Sequence, residues 1–269
     1  MSESHWLALM IGNSRLHWAW FVEEALQFAW DTEYLPVSVV QNLASCQNIA
    51  DFSREILAPG TINMRSLPPI YLASVVPQAT VIWRTYPNLR EITLDQVPLQ
   101  EVYPTLGIDR ALAVWGAGAI WGFPALVIDA GTALTLTGAN GDRTLVGGAI
   151  IPGVRLQLRS LGERTAALPL VNTTKSLPSR WALNTPESIQ SGVIYTLIAG
   201  IKDFVDAWWQ KFPESCVAMT GGDCALLLNC LQSEHPNITA KIIPAPHLIF
   251  QGMCCCWASR GEDLGEQGR

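Results

Sequence analysis

One short sequence pattern occurs twice in this chain and limits the folds that it can adopt. Residues 9–14 (Leu-Met-Ile-Gly-Asn-Ser) and 127–132 (Val-Ile-Asp-Ala-Gly-Thr) are each an apolar run broken by glycine and a hydroxyl residue. Such a pattern predicts a strand, a tight turn and a second strand. Glycine lets backbone N–H groups approach an anion closely, and the hydroxyl can donate to a phosphate. Two such turns predict two related half-domains facing one nucleotide.

A third pattern lies between the two turns. Residues 106–110 (Leu-Gly-Ile-Asp-Arg) precede an apolar stretch, and three further segments follow the second turn. These are 147–153 (Gly-Gly-Ala-Ile-Ile-Pro-Gly), 184–185 (Asn-Thr) and 220–223 (Thr-Gly-Gly-Asp). In this order the segments resemble the type III pantothenate kinases, from about residue 9 to residue 225. The set is specific, although each member alone is common.

The resemblance implies both a fold and a reaction. The fold would be α/β, with two duplicated half-domains of the sugar kinase, Hsp70 and actin superfamily (ribonuclease H-like) around a central cleft. The reaction would be ATP-dependent phosphorylation of pantothenate, the first step of coenzyme A biosynthesis. The resemblance also implies Mg²⁺, a monovalent cation (K⁺ or NH₄⁺), a cytoplasmic location and a homodimer. We expect half-domains at 1–120 and 121–257, followed by a polar tail at 258–269.

Composition excludes several other function classes. The chain has 269 residues and a net charge of −6 without a basic block, so we expect neither a nucleic-acid nor a membrane partner. The uncharged stretch 111–128 approaches the length of a membrane span, but its glycines and Pro124 favour a buried helix, a turn and a central strand. No signal peptide is expected. The seven cysteines lack zinc spacing, which favours reduced, mostly buried thiols over a zinc or redox site.

Hydrophobic periodicity predicts the following elements. We expect a hairpin over 6–21, helices over 38–56, 109–120, 188–212 and 223–232, and strands over 70–76, 125–128 and 217–219. Thr185 before Pro186 predicts an N-cap with proline at the first helical position. We expect residues 258–269 to be frayed.

Asp109 is the candidate general base. Phosphoryl transfer needs a carboxylate that orients the attacking hydroxyl and accepts its proton. The alternative is an acid that only stabilises the start of a helix, worth about 0.3–1 kcal/mol. Arg110 can bind the pantothenate carboxylate through two parallel hydrogen bonds, or it can form a surface ion pair of little value. Tyr103, Gly107 and Ile108 complete this part of the substrate site, and Thr185 would reach pantothenate from the long helix or only cap it.

The two turns are the candidate nucleotide site. Asp129 resembles the family's ligand for the monovalent cation, because hard cations prefer oxygen donors; the alternative is that it only caps its own turn. The resemblance assigns ATP to a larger set of residues, mostly in the first turn: Met10, Ile11, Gly12, Asn13, Ser14, Arg15, Leu16, His17, Thr132, Gly221 and Gly222.

Met10 departs from the family pattern. The family has aspartate there to support the magnesium of ATP, and a thioether is a poor ligand for so hard an ion. We expect activity to persist, with magnesium held by phosphates, water and another acid. The alternative is a weakened or inactive nucleotide-binding regulator of the same fold. Another small-molecule kinase or phosphatase of the superfamily is a further rival.

Overall fold

The computed structural model describes residues 5–46, 49–56, 58 and 67–266. The strands are β1 His5–Ile11, β2 Leu16–Val22, β3 Ala25–Thr32, β4 Ile70–Ser74, β5 Leu89–Glu91, β6 Ala125–Ala130, β7 Ala133–Ala139, β8 Leu145–Pro152, β9 Cys216–Thr220 and β10 Ile243–Pro244. The helices are α1 Val37–Ser45, α2 Ile49–Glu55, α3 Pro77–Trp83, α4 Ile108–Trp121, α5 Val154–Arg164, α6 Thr185–Lys211, α7 Cys224–Glu234, α8 Pro236–Thr239 and α9 Leu248–Glu266, with a short 3₁₀ helix at Leu94–Gln96.

The chain divides into two compact units. Unit 1 takes the described residues up to Pro98, then Tyr103–Gly116 and the C-terminal part from Ile249. Unit 2 takes Leu99–Val102 and Ala117–Leu248. Each unit therefore contains one of the two repeated turns.

The two units have sheets of the same topology. In unit 1 the strand order is β3-β2-β1-β4-β5, and in unit 2 it is β8-β7-β6-β9-β10 when read in the matching direction. In unit 1, β3, β2 and β1 pair antiparallel, and β4 and β5 extend the sheet in parallel from β1. In unit 2, β8, β7 and β6 pair antiparallel, and β9 and β10 extend the sheet in parallel from β6. The predicted α/β fold with two duplicated halves is therefore confirmed.

Unit 1 buries both faces of its sheet. Alternate residues of a strand point to opposite faces, so Leu7, Leu9 and Ile11 share one side and Trp6, Ala8 and Met10 the other. The first set packs with residues of α1, α2 and α3. On the second face Trp6 stacks on Phe21 at 4.2 Å between ring centroids and on Trp257 of α9 at 5.5 Å. Helix α9 therefore covers the face to which Met10 belongs.

Unit 2 builds its core around α6. Apolar residues recur along this helix at intervals of three and four, and the buried ones pack with the sheet residues Leu126, Ile128 and Leu136. Helix α4 is followed by a turn at Gly122 and then by the central strand β6. This is the order of elements that the sequence predicts for the uncharged stretch 111–128. Among the helices of the described ranges, none is long and apolar enough to cross a bilayer.

Four details differ from the sequence predictions. The predicted helix over 38–56 is two helices, because α1 ends at Ser45. The long helix begins at Thr185, so Asn184 and not Thr185 is the N-cap: its side chain accepts the Glu187 N–H at 3.0 Å. Helix α9 continues to Glu266, so the prediction of a frayed tail is wrong up to that residue, and residues 267–269 lie outside the described ranges. Strand β3 was not predicted; it pairs with β2 and carries Asp31 to the first turn.

Candidate active site

The first turn, residues 12–15, connects β1 to β2 in unit 1. Gly12 N–H donates to the Arg15 carbonyl at 3.1 Å, and the Tyr34 hydroxyl donates to the Gly12 carbonyl at 2.5 Å. A Cβ on Gly12 would lie 3.1 Å from His17 Nε2. Asn13, Ser14 and Arg15 are exposed, while Ile11 and Leu16 are buried on either side of the turn. The predicted residues thus form one short loop with an exposed polar tip.

Three residues lie side by side next to this turn. Met10 is directly opposite His17, and His17 is directly opposite Asp31 across the antiparallel strands. His17 Nδ1 and Asp31 Oδ1 are 2.7 Å apart, which directs the other ring nitrogen, Nε2, towards Gly12. Met10 is 3% exposed. The Asp31–His17 pair therefore lies on the strands next to the position that Met10 occupies.

Met10 and Asp129 occupy corresponding positions in the two units. Each is the next-to-last residue of the strand before the turn, β1 or β6. Each pairs antiparallel with the following strand and parallel with the strand on its other side. The duplicated fold thus has a thioether on one side and a carboxylate on the other.

Asp109 lies in the first turn of α4 in unit 1. Its Oδ1 accepts the Arg110 N–H at 2.8 Å, and a Cβ on Gly107 would overlap this oxygen. The same Cβ would lie 3.8 Å from Val75, whose N–H donates to the Ile11 carbonyl at the end of β1. Burial raises the pKa of the Asp109 carboxyl, although Arg110 partly opposes this shift. A carboxylate with a raised pKa is a stronger proton acceptor than an ordinary aspartate.

Arg110 is buried, which argues against the alternative that it only forms a surface ion pair. Only 7% of the residue is exposed, and its Nη1 donates to the Tyr103 hydroxyl at 2.9 Å. Ile108, also buried, precedes Asp109 in the same helical turn. The structure therefore brings together Tyr103, Gly107, Asp109 and Arg110, as the sequence predicts.

The second turn brings together several residues of unit 2. A Cβ on Gly221 would lie 2.5 Å from Asp129 Oδ1, and the left-handed φ of +92° at Gly221 is one that side chains rarely adopt. Gly153 N–H donates to the Thr132 carbonyl at 2.9 Å, and Asp223 N–H donates to the Ala130 carbonyl at 2.9 Å. Two separate chain segments are therefore hydrogen-bonded to the short loop that carries Asp129 and Thr132.

Sequence analysis missed Arg155 as a member of this region. Its Nε lies 3.4 Å from Asp223 Oδ1, and Asp223 is buried next to Gly222. Burial raises the pKa of Asp223, and the charge and hydrogen bond of Arg155 oppose the rise. The signal for Arg155 was weak, since only its place two residues after Gly153 could have indicated it.

Thr185 is the first residue of α6 in unit 2. It lines a cavity of about 720 Å³ between α5 and α6, together with Gln157, Leu161 and Ser188. Its substrate role stays a prediction.

The described side chains show no protein cage for a metal ion, because no group of three or more His, Cys, Asp or Glu residues within the described ranges could hold one. The thiols are poor candidates as well. Burial raises the pKa of Cys224 to about 11, to which Asp129 adds, and burial raises that of Cys254 to about 12. All seven cysteines lie in the described ranges, and none of them forms a disulfide.

Solved structures with the same fold bind nucleotides in several cases. MreB5 of Spiroplasma citri bound to ADP aligns with a TM-score of 0.52 at 10% sequence identity, covering 97% of this chain and 98% of that one. The activator of the 2-hydroxyisocaproyl-CoA dehydratase from Clostridium difficile, with bound ADPNP, aligns at 0.51 and 10% identity, covering 98% of both chains. At this identity the likeness shows the fold alone.

Sequence similarity defines the family more narrowly. The family model of the type III pantothenate kinases matches residues 6–207. A type III pantothenate kinase from Nostoc sp. is 57% identical over 262 residues, covering 93% of this chain and 94% of that protein. Another from Synechocystis sp. is 43% identical over 250 residues, covering 92% and 88%. The chain belongs to the type III pantothenate kinase family.

Proposed function

We propose that this protein transfers the γ-phosphoryl group of ATP to the primary hydroxyl of pantothenate, giving 4′-phosphopantothenate, the first step of coenzyme A biosynthesis. The observation that carries this proposal is the pairing of Asp109, a carboxylate with a raised pKa, with the buried Arg110 at the start of one helix, in a chain of this family.

The two side chains suit the two ends of pantothenate. Asp109 accepts the hydroxyl proton while the hydroxyl oxygen forms a bond to the γ-phosphorus, the bond from this phosphorus to the β,γ-bridging oxygen breaks, and ADP leaves. Arg110 binds the pantothenate carboxylate, because a planar guanidinium can donate two parallel hydrogen bonds. Tyr103 orients Arg110 through their 2.9 Å hydrogen bond. Thr185 would add a further contact to pantothenate.

ATP binds at the two turns in this proposal. The N–H groups and side chains of residues 12–15 contact the β- and γ-phosphates, Arg15 supplies positive charge, and His17 lies beside Gly12. Thr132 contacts the phosphates from the second turn, and Gly221 and Gly222 lie near adenine. The support is that both turns are short glycine loops with polar tips in sheets of the same topology.

The monovalent cation fits this chain better than magnesium does. Asp129 supplies a half-buried carboxylate next to a glycine turn. This carboxylate would be one of several oxygen ligands of K⁺ or NH₄⁺. Magnesium does not fit at the first turn, because Met10 offers a thioether and the nearby Asp31 is paired with His17. We therefore assign no magnesium ligand to the first turn.

We also propose a homodimer in the cytoplasm. The predicted half-domain bounds, 1–120 and 121–257, differ from those of the two units chiefly because most of α9 belongs to unit 1. Support for the dimer comes from large apolar side chains of unit 2 exposed near the 720 Å³ cavity: Trp181 is 85% and Leu183 100% exposed. Light scattering on the purified protein tests this: a monomer mass at micromolar concentration contradicts it. An ATP-consuming biosynthetic step supports the cytoplasmic location, which cell fractionation tests.

The deciding experiment compares wild type with Asp109→Asn by measuring ADP release with and without pantothenate. We expect pantothenate-dependent ADP release in wild type and a fall of at least about 10²-fold in the variant, since the basic carboxylate is lost while its shape is kept. Met10 is the observation behind the alternative of an inactive regulator, which family membership does not favour. Wild type that binds ATP but releases no ADP at any Mg²⁺ or Mn²⁺ concentration would establish that alternative.

A further inference from the structure

Two segments of unit 2 are hydrogen-bonded to the second turn. The residue before α5, Gly153, donates its N–H to Thr132, and the residue before α7, Asp223, donates its N–H to Ala130. The packing here is close, because a Cβ on Gly153 would overlap the Gly131 carbonyl oxygen. The starts of α5 and α7 are therefore both fixed against the loop that follows Asp129.

One ion pair joins these two helix starts. Arg155 Nε lies 3.4 Å from Asp223 Oδ1. Asp223 occupies the N-cap position of α7, where aspartate usually accepts a backbone N–H of its own helix, yet it makes no such hydrogen bond. Its buried carboxylate is directed to Arg155 instead, which fixes the guanidinium beside the turn.

The Arg155 guanidinium remains accessible. The side chain is 71% exposed although Nε is paired, and a guanidinium carries five N–H donors. The region also contains two carboxylates, Asp129 and Asp223. The proposed monovalent cation offsets the charge of Asp129, and Arg155 offsets that of Asp223 while its other N–H donors remain available to a phosphate.

We propose that Arg155 binds a phosphate group of the nucleotide at the second turn and that Asp223 is the positioning residue that holds the guanidinium there. This inference rests on the proposed function, because it takes the second turn as the place of the ATP phosphates. It adds a phosphate contact to the binding residues named above.

Helix α5 offers a matched control one turn further along. The Arg159 side chain is also 71% exposed and also pairs with a carboxylate, Glu163, at 2.5 Å. This pair, however, is an i,i+4 pair on the exposed surface of the helix. Arg155 and Arg159 thus differ mainly in their distance from the second turn.

The experiment measures binding of a non-hydrolysable ATP analogue, ADP and adenosine by calorimetry to wild type, Arg155→Ala, Arg155→Lys, Asp223→Asn and Arg159→Ala. We expect Arg155→Ala to weaken the ATP analogue and ADP about 10-fold or more and to leave adenosine within about 2-fold. Arg155→Lys keeps the charge without the planar fork, so we expect a smaller loss. Asp223→Asn should weaken the phosphorylated ligands by about 3-fold, and Arg159→Ala should bind as wild type does.

Two results would overturn the inference. One is wild-type affinity for the ATP analogue in Arg155→Ala. The other is an equal loss for adenosine and the ATP analogue, because the ion pair would then only hold the helix starts together. Failure of the proposed function would look different from failure of this inference. In that case wild type would bind the ATP analogue but would not phosphorylate pantothenate, whatever the effect of Arg155→Ala on binding.

Discussion

Gly107→Ala tests whether the position of the Asp109 carboxylate governs the reaction. The new methyl group would overlap Asp109 Oδ1, whereas Val75 Cγ1, which belongs to the next residue in reach, lies at an ordinary van der Waals distance of 3.8 Å. The backbone therefore has room for alanine, and the carboxylate is the group that must move. Its rotation breaks the 2.8 Å hydrogen bond from Arg110 N–H.

The expected effect is large on turnover and small on stability. A hydrogen bond to a charged group contributes about 1.5–3 kcal/mol, but the displaced carboxylate regains water, so we expect a stability loss of about 1 kcal/mol. A displacement of about 1 Å at a reacting group can lower the rate about 10²-fold. We expect kcat with pantothenate to fall by that factor, while KM for ATP stays within about 2-fold.

The assay is ADP release coupled to a spectrophotometric reaction, with thermal unfolding measured in parallel. Gly141→Ala is the control, because no atom lies within 4 Å of its added Cβ, and it should retain wild-type kcat and Tm. A Gly107→Ala protein whose kcat lies within about 2-fold of wild type would refute the assignment of Asp109 as the general base in this geometry.

Three further outcomes follow from the same structure. Because burial raises the pKa of Asp109, the acid limb of kcat/KM should lie at higher pH than the titration of an ordinary aspartate. Ionisation of Asp109 should also lower the stability of the protein as pH rises through this pKa. Asp109→Asn should therefore unfold at a Tm no lower than that of wild type at pH 7, and a lower Tm would contradict the raised pKa. Gly252→Ala should lose about 1–3 kcal/mol in urea unfolding, since its Cβ would overlap the Leu112 carbonyl, and unchanged unfolding would show that α9 and α4 pack less closely. Met10→Asp adds a carboxylate beside the first turn and should lower the Mg²⁺ concentration for half-maximal rate, at some cost in Tm because the site is buried. An unchanged metal requirement would show that the thioether at position 10 does not limit magnesium binding.

The strand-and-turn repeat was the part of the fold most open to prediction. Glycine and alternating apolar residues specify the turns locally, so both hairpins were predicted near their observed positions. The start of the long helix was less certain for a physical reason. Asn184 and Thr185 are both good N-cap residues, and only the hydrogen bond from Glu187 N–H to Asn184 decides between them. Such a choice depends on three-dimensional geometry, which residue type does not encode.

The grouping of Gly107, Asp109 and Arg110 was predicted because these residues are close in sequence. Gly107 directly precedes α4, and Asp109 and Arg110 lie in its first turn, so their proximity follows from local geometry. The pair of Arg155 and Asp223 belongs to two helix starts far apart in the sequence, and only the parallel pairing of β6 with β9 brings their segments to the same turn. Contacts of this kind require the sheet topology and could not be inferred from either segment alone.

The two units show how one topology can carry different chemistry. Met10 and Asp129 have the same place in equivalent sheets, so the exchange of a carboxylate for a thioether changes the charge at one turn without any change of fold. The first turn keeps the exposed Arg15, which suits an anion, and its nearby carboxylate, Asp31, is paired with His17. The second turn keeps the carboxylate, which suits a cation. Because soft and hard donors differ in the ions that they hold, cation binding in this chain should depend on the second turn far more than on the first.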